Sequence, residues 1–284
     1  MSPHIQQWLR KNGFGTNFQQ KTIGGGSICD TSRLSFSDGR TVILKCCEQA
    51  PAELFSAEAL GLSALKDACA LTTPEVIHVS DRFLILEDLG QGNPDSDYWQ
   101  KLGQGLADLH RLKQPQFGFG IDNYCGSTPQ RNSLTDDGFE FFANYRILNL
   151  AAIALKNKLL SDDDMEALET IAGNLQRWLP KQTAVLIHGD LWSGNIHCCA
   201  NRQPALIDPA VYWGWAEAEL AMTTLFGGFD RKFYSSYEEN SDIESDWRER
   251  APLYNLYHLL NHLLLFGSSY LPQLRRITAH YGAP

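Results

Sequence analysis

No stretch of about 18 apolar residues occurs in this chain, and that length is what a membrane-crossing helix requires. The richest apolar run, Leu259 to Phe266, is short and carries Asn261 and His262. Also missing is any Lys/Arg-rich run. With a formal net charge of −9 this argues against a general nucleic-acid binder. Cys-x-x-Cys is absent too. The seven cysteines include two adjacent pairs, Cys46-Cys47 and Cys198-Cys199, a spacing poorly suited to zinc. Reduced thiols, mostly buried, are expected. There is no internal repeat, no low-complexity tract, and no glycine-rich loop ending in Gly-Lys-Ser/Thr at a helix start. No apolar signal segment precedes Trp8, so the expected location is cytoplasmic. What remains is 284 residues, 43% hydrophobic and 20% charged, enough for one large soluble domain or two lobes.

The patterning changes character along the chain. A short amphipathic helix over 5–12 precedes a run of strands from Thr22 to Lys45, ending on the β-branched stretch 41–45. Leu54, Phe55, Glu58, Leu62 and Leu65 fall at helical spacing and predict a helix over 51–67. Two more strands are expected at 76–79 and 83–86, then a break at 87–90. Beyond it the pattern turns helical, at 97–112, 137–158, 162–178, 217–226, 230–238 and 245–267. The expected layout is α+β: a β-rich lobe over 1–88 and a mainly helical lobe over 89–284, with a cleft between them.

The most informative stretch is His188-Gly189-Asp190-Leu191-Trp192-Ser193-Gly194-Asn195. An apolar run over 184–187 leads into it, and a second run, Ala205-Leu206-Ile207, leads into Asp208. Asp and Asn five apart on a loop, then a strand and a second Asp, is the spacing of the phosphotransfer loop H-R-D-x-x-x-x-N followed by the Asp of D-F-G. A hydroxyl attacking a phosphoryl group needs one carboxylate to orient it and take its proton, the role assigned to Asp190. Mg²⁺ needs separate oxygen ligands, and Asn195 and Asp208 supply them.

The remaining parts of an ATP site stand in order upstream. Gly24, Gly25, Gly26 and Ser27 form a turn between two strands whose backbone N–H groups could approach phosphates closely. Lys45, on the following strand, could pair with the α/β-phosphates and be held by Glu58 on the next helix, with Glu53 as a competing partner nearer the helix start. The strand over 83–86 would enter the hinge, where adenine is held by main-chain groups, so Glu87 and Leu89 are candidates through their backbone.

With these elements in order, the chain resembles the fructosamine kinase (ketosamine-3-kinase) family of the protein-kinase-like, aminoglycoside-phosphotransferase-like group. The resemblance is carried by His188 to Asn195, Ile207 to Ala210, Glu219 to Phe229, Phe117 to Gly120 and Tyr257 to His262. It implies a bilobal protein-kinase-like fold and ATP- and Mg²⁺-dependent phosphorylation of the O3 hydroxyl of a ketosamine, free or protein-bound, ribulosamine and erythrulosamine being preferred sugars in bacterial-type members. The 3-phosphate then decomposes and frees the amine. Two positions depart from pattern. Trp192 stands where protein kinases carry a lysine. Ser27 stands where some family members carry a redox-sensitive cysteine, with Cys29 the nearest thiol, so redox control is not carried over.

Trp192, Tyr212, Trp213 and Trp215 flank the two loops. Trp192, Tyr212 and Trp213, on what should be loops, are expected to stack on a sugar. His188 is expected to brace its loop, and Glu217 and Glu219 to favour the first turn of the following helix. The rival readings are the same chemistry on an aminoglycoside, choline or another sugar, and a non-catalytic binding protein keeping the fold. The sequence leaves the oligomeric state open.

Overall fold

Alternation along one short strand explains how the first half of the site is built. The computed structural model describes residues 1–15, 17–23, 29–68 and 71–282, so the expected phosphate turn, Gly24 to Ser27, lies outside the described residues. Helix α1 (Pro3–Lys11), capped by the Ser2 hydroxyl, precedes β1 (Phe18–Thr22), β2 (Asp30–Phe36) and β3 (Thr41–Cys46). Helix α2 (Leu54–Ala68), β4 (Val76–Val79) and β5 (Phe83–Glu87) follow. The five strands form one antiparallel sheet in the order β1-β2-β3-β5-β4. Period two sends Val42 and Leu44 to one face, where they join Ile5 and Leu9 of α1 and Leu34, Phe36, Phe83 and Ile85. Each such buried side chain contributes about 1.5–3 kcal/mol. On the opposite face Phe55 and Leu62 of α2 pack on Leu84 and Leu86, with Ile43 against them. Lys45 shares that parity with Ile43 and therefore meets α2. The helix starts at Leu54, not at Pro51, because Glu53 takes a left-handed backbone (φ 64°) and turns the chain before it.

The rest of the chain is mainly helical. Helix α3 (Tyr98–Leu109) leads to β6 (Lys113–Gln114) and a hairpin of β7 (Asn123–Cys125) and β8 (Thr128–Gln130). After α4 (Gly138–Phe141) comes a π-helical segment, Phe142–Leu148, then α5 (Asn149–Lys156) and α6 (Asp162–Gly173). Strand β9 (Ala184–Ile187), fully buried, lies in the centre of a three-stranded sheet between β12 (Tyr212–Gly214) and β6. Strands β10 (Ile196–Cys198) and β11 (Pro204–Leu206) make a separate antiparallel pair. Helices α7 (Ala216–Leu225), α8 (Arg231–Glu239), α9 (Trp247–Tyr254), α10 (Leu256–Phe266) and α11 (Leu271–Tyr281) complete the chain. Helices α3 and α8 pack so closely that a Cβ on Gly103 would sit 2.3 Å from the Phe233 carbonyl oxygen. No helix among the described residues is long and apolar enough to cross a membrane.

Several expectations change here. The helix over 137–158 is interrupted by the π-helical segment, which turns Arg146 fully inward. The helix over 245–267 divides at Asn255, three residues after Pro252, which offers no N–H. Residues 212–214 are a strand rather than a loop. Its backbone pairs with β9 and, through Trp213, with Gly118.

Candidate active site

Lys45 Nζ lies 2.6 Å from Glu58 Oε1 and 3.0 Å from Asp208 Oδ1. Glu58 reaches it because it shares the face of α2 that carries Phe55 and Leu62. Burial disfavours the ammonium, but the carboxylates of Asp208 and Glu58 outweigh it and hold the Lys45 pKa above its ordinary value. Asp208 itself has φ 56°, a left-handed conformation uncommon outside glycine and typical of a functionally fixed residue.

Asp190 is held by different means. His188 is fully buried. Its Nε2 lies 2.8 Å from the Ile207 carbonyl oxygen and its Nδ1 accepts the Asp190 N–H at 3.3 Å, which places the ring proton on Nε2. The backbone N–H groups of His188 and Gly189 donate to the two oxygens of Glu219 at 2.7 and 2.9 Å. Gly189 is required: with φ 82°, a Cβ there would sit 2.0 Å from the Ala210 carbonyl oxygen. Asn195 Nδ2 donates to the Asp190 carbonyl and carboxylate at 2.8 and 3.0 Å. Burial pushes the Asp190 carboxyl up to about 7, with the charges of Asp208 and Glu219 adding to it and the Asn195 hydrogen bond opposing.

These pieces converge. Lys45, Glu58, Asp190, Trp192, Asn195 and Asp208 line one cleft. The Asn195 amide nitrogen is spent on Asp190, leaving its Oδ1 as an acceptor; with the Asp208 carboxylate lining the same cleft, the oxygens form a donor set that suits Mg²⁺. At the hinge, the Glu87 N–H donates to the Glu75 carbonyl and the Leu89 carbonyl accepts from Ala200, so these main-chain groups are engaged. Asp88, between them, is pinned by Arg33 at 2.8 Å.

The aromatic expectations divide. Trp192 borders the cleft, its ring lying over Gly194. Tyr212 does not: it is 2% exposed, and the Arg146 guanidinium sits 3.9 Å from its ring centroid, so no sugar can reach its face. Trp213 is half-buried, packs against the core and is not among the cleft-lining residues. Trp215 is core, wedged among Phe117, Phe139, Phe142 and Tyr254. The ring that does extend Trp192 is Phe226, edge-on at 6.0 Å, followed by His262, which neighbours Phe266 and Tyr270. Glu217 and Glu219 do occupy a first helical turn, yet both are buried: Glu217 takes a bidentate pair from Arg250, and Glu219 anchors the catalytic loop.

Sequence reasoning missed the layer behind the loop. Asn123 and Gln130 of the β7–β8 hairpin donate to the carbonyls of Val211 and Ala210 at 2.8 and 3.0 Å, fixing the segment after Asp208. Asn132 donates to Asn123, and Arg146 donates to Asn132 at 2.7 Å. The only signal available was the density of Asn and Gln over 123–132.

A profile of the family described as Fructosamine kinase matches residues 1–281. A Synechocystis protein named "Probable ketoamine kinase" is 38% identical over 91% of this chain and 88% of its own length. The "Protein-ribulosamine 3-kinase, chloroplastic" of Oryza sativa subsp. japonica is 32% identical over 98% of this chain and 83% of its own. The crystal structure of a Thermobifida fusca protein assigned as a fructosamine-3-kinase superposes with a TM-score of 0.84 at 30% identity, covering 93% of this chain and 92% of that one.

Proposed function

The chain belongs to the fructosamine kinase family, and from that premise we propose that it transfers the γ-phosphoryl group of ATP, with Mg²⁺, to the O3 hydroxyl of a ketosamine. One observation carries the reading: Asp190, a buried carboxyl hydrogen-bonded by Asn195, shares a cleft with Lys45, held between Glu58 and Asp208, and with the oxygen-bearing side chains of Asn195 and Asp208. Asp190 orients the O3 hydroxyl and takes its proton as the O3–phosphorus bond forms and ADP leaves. Lys45 places the phosphates. Asn195 and Asp208 hold Mg²⁺, which when bound neutralises phosphate charge. Trp192, which borders the cleft, offers the sugar an apolar ring face, with Phe226 edge-on against it. A ribulosamine is the favoured substrate, in keeping with the name of the rice relative. The test is ATP turnover with a synthetic ribulosamine beside kanamycin. Turnover confined to the ribulosamine is expected, and turnover confined to kanamycin would overturn the reading.

A further inference from the structure

Around Asp190 three donor atoms of different chemistry converge. Cys125 Sγ, from the end of β7, and His258 Nδ1, from α10, lie with a carboxylate oxygen of Asp190 all within 4.8 Å of one another. His258 Nδ1 stands 4.0 Å from Asp190 Oδ1, and the His258 side chain is 5% exposed. That nitrogen is buried and has no hydrogen-bond partner, a costly state unless something else is meant to meet it. Cys125 Sγ receives the Asn261 amide at 3.2 Å, which supports negative charge on sulfur. Asp190 Oδ2 is occupied by Asn195, so Oδ1 is the oxygen that faces the pair.

We propose that Cys125, Asp190 and His258 form a zinc site that, when filled, switches the enzyme off. Thiolate, imidazole and carboxylate are the donors zinc selects, and the sulfur and nitrogen exclude Mg²⁺, which keeps to the oxygens of Asn195 and Asp208. Tetrahedral zinc places its ligand atoms roughly 3.4–3.8 Å apart, so no pair in a cluster spanning at most 4.8 Å has to close by more than about 1.4 Å. Burial keeps His258 neutral, its pKa pushed down to about 3, so its lone pair is available. Burial also keeps the Cys125 thiol protonated, so zinc must displace that proton as the sulfur–zinc bond forms. Bound zinc would draw electron density from the Asp190 carboxylate and so make it a weaker acceptor for the substrate proton. The inhibition therefore rests on Asp190 being the base; the metal site itself does not.

Two measurements separate these. Reduced wild-type protein dialysed against zinc alone should retain one ion per chain, and Co²⁺ in its place should give a near-ultraviolet thiolate-to-metal band. Cys125→Ser should abolish the band, and His258→Phe should weaken zinc binding at least ~10-fold. In the kinase assay at saturating Mg²⁺ and ATP, zinc should inhibit the wild type and a chelator should restore it. Each variant, measured against its own zinc-free rate, should need at least ~10-fold more zinc. Absence of the cobalt band, or inhibition equally strong in both variants, would overturn the site. One bound zinc with the band, in a chain that phosphorylates no ketosamine, would support the site and overturn the proposed substrate instead.

Discussion

The two charged groups that meet in the cleft are stabilised by opposite strategies. Lys45, on the sheet, is surrounded by formal charge of the other sign and stays ionised throughout the working range. Asp190, on the loop, faces neutral donors, a buried thiol and a neutral imidazole, with carboxylates nearby, so its charge is poorly supported. A phosphate-positioning cation gains from being permanent. A base that must accept a proton in each turnover gains from a pKa near the working pH. Burial alone does not decide a charge's fate. The sign and proximity of its partners do.

Removing each charge in turn, with stability measured beside rate, distinguishes the two strategies. Asp190→Asn should lower kcat by about 10²–10⁴ while raising thermal stability. The sign follows from linkage. Asp190's folded pKa is raised, so its contribution to stability is full below about pH 4 and declines as pH climbs through 7. The gain from Asn should accordingly be larger at pH 8 than at pH 5. The wild-type rate should fall below about pH 7, as the base becomes protonated. A variant less stable than wild type at pH 8 would refute the poised-charge account.

Lys45→Met should show the reverse pairing of effects. Turnover should drop by about 10²–10³, as for loss of one preorganised electrostatic donor. Stability should drop as well, by about 3–5 kcal/mol, because Glu58 is left as a buried charge without its partner. Restoring stability with Lys45→Met combined with Glu58→Leu, without restoring turnover, would separate the two roles. Equal stability of the Lys45 variant and wild type would show that the ion pair is not what holds α2 against the sheet.

Glu219→Gln probes how the loop is anchored. The side chain now offers one oxygen and one N–H₂ to two N–H donors, so one buried donor loses its acceptor, at about 1–3 kcal/mol. A smaller kcat loss than for Lys45→Met is expected, with the KM for ATP nearly unchanged, read by steady-state kinetics and a melting curve.

Legibility in the sequence follows the same division. The elements tied to short-range pattern were readable. The order of a strand-end lysine and a glutamate on the next helix paired Lys45 with Glu58, helical spacing put Glu58 among the apolar positions of α2, and the Asp-x-x-x-x-Asn spacing picked out the loop. Long-range hydrogen bonding was not. Nothing local announces that Glu219 turns inward to the loop 30 residues upstream, or that Arg146 sits beneath Tyr212. Local composition also misled where pairing partners are distant. Tyr212 and Trp213 look like loop aromatics until β9 and Gly118 claim their backbone.

The aromatic residues give the mildest expected effects and the finest test of that last point. If substrate recognition sits on the wall that borders the cleft, Trp192→Ala should raise the KM for a ribulosamine about 10-fold, since lost aromatic packing is worth on the order of 1–3 kcal/mol. The KM for ATP should move less than about two-fold, because the loss falls on the substrate side. Tyr212→Phe should leave both KM values within about two-fold while costing about 1 kcal/mol in stability, as its hydroxyl lies inside the buried network around Arg146. Trp213→Ala, which strips a half-buried ring from the core edge, should likewise act on stability and spare KM. A large KM increase for Tyr212→Phe or Trp213→Ala, with none for Trp192→Ala, would move the sugar site from the cleft wall to the strand β12. That outcome would require β12 to leave β9 on substrate binding, which hydrogen exchange at Leu186 and Ile187 would reveal directly.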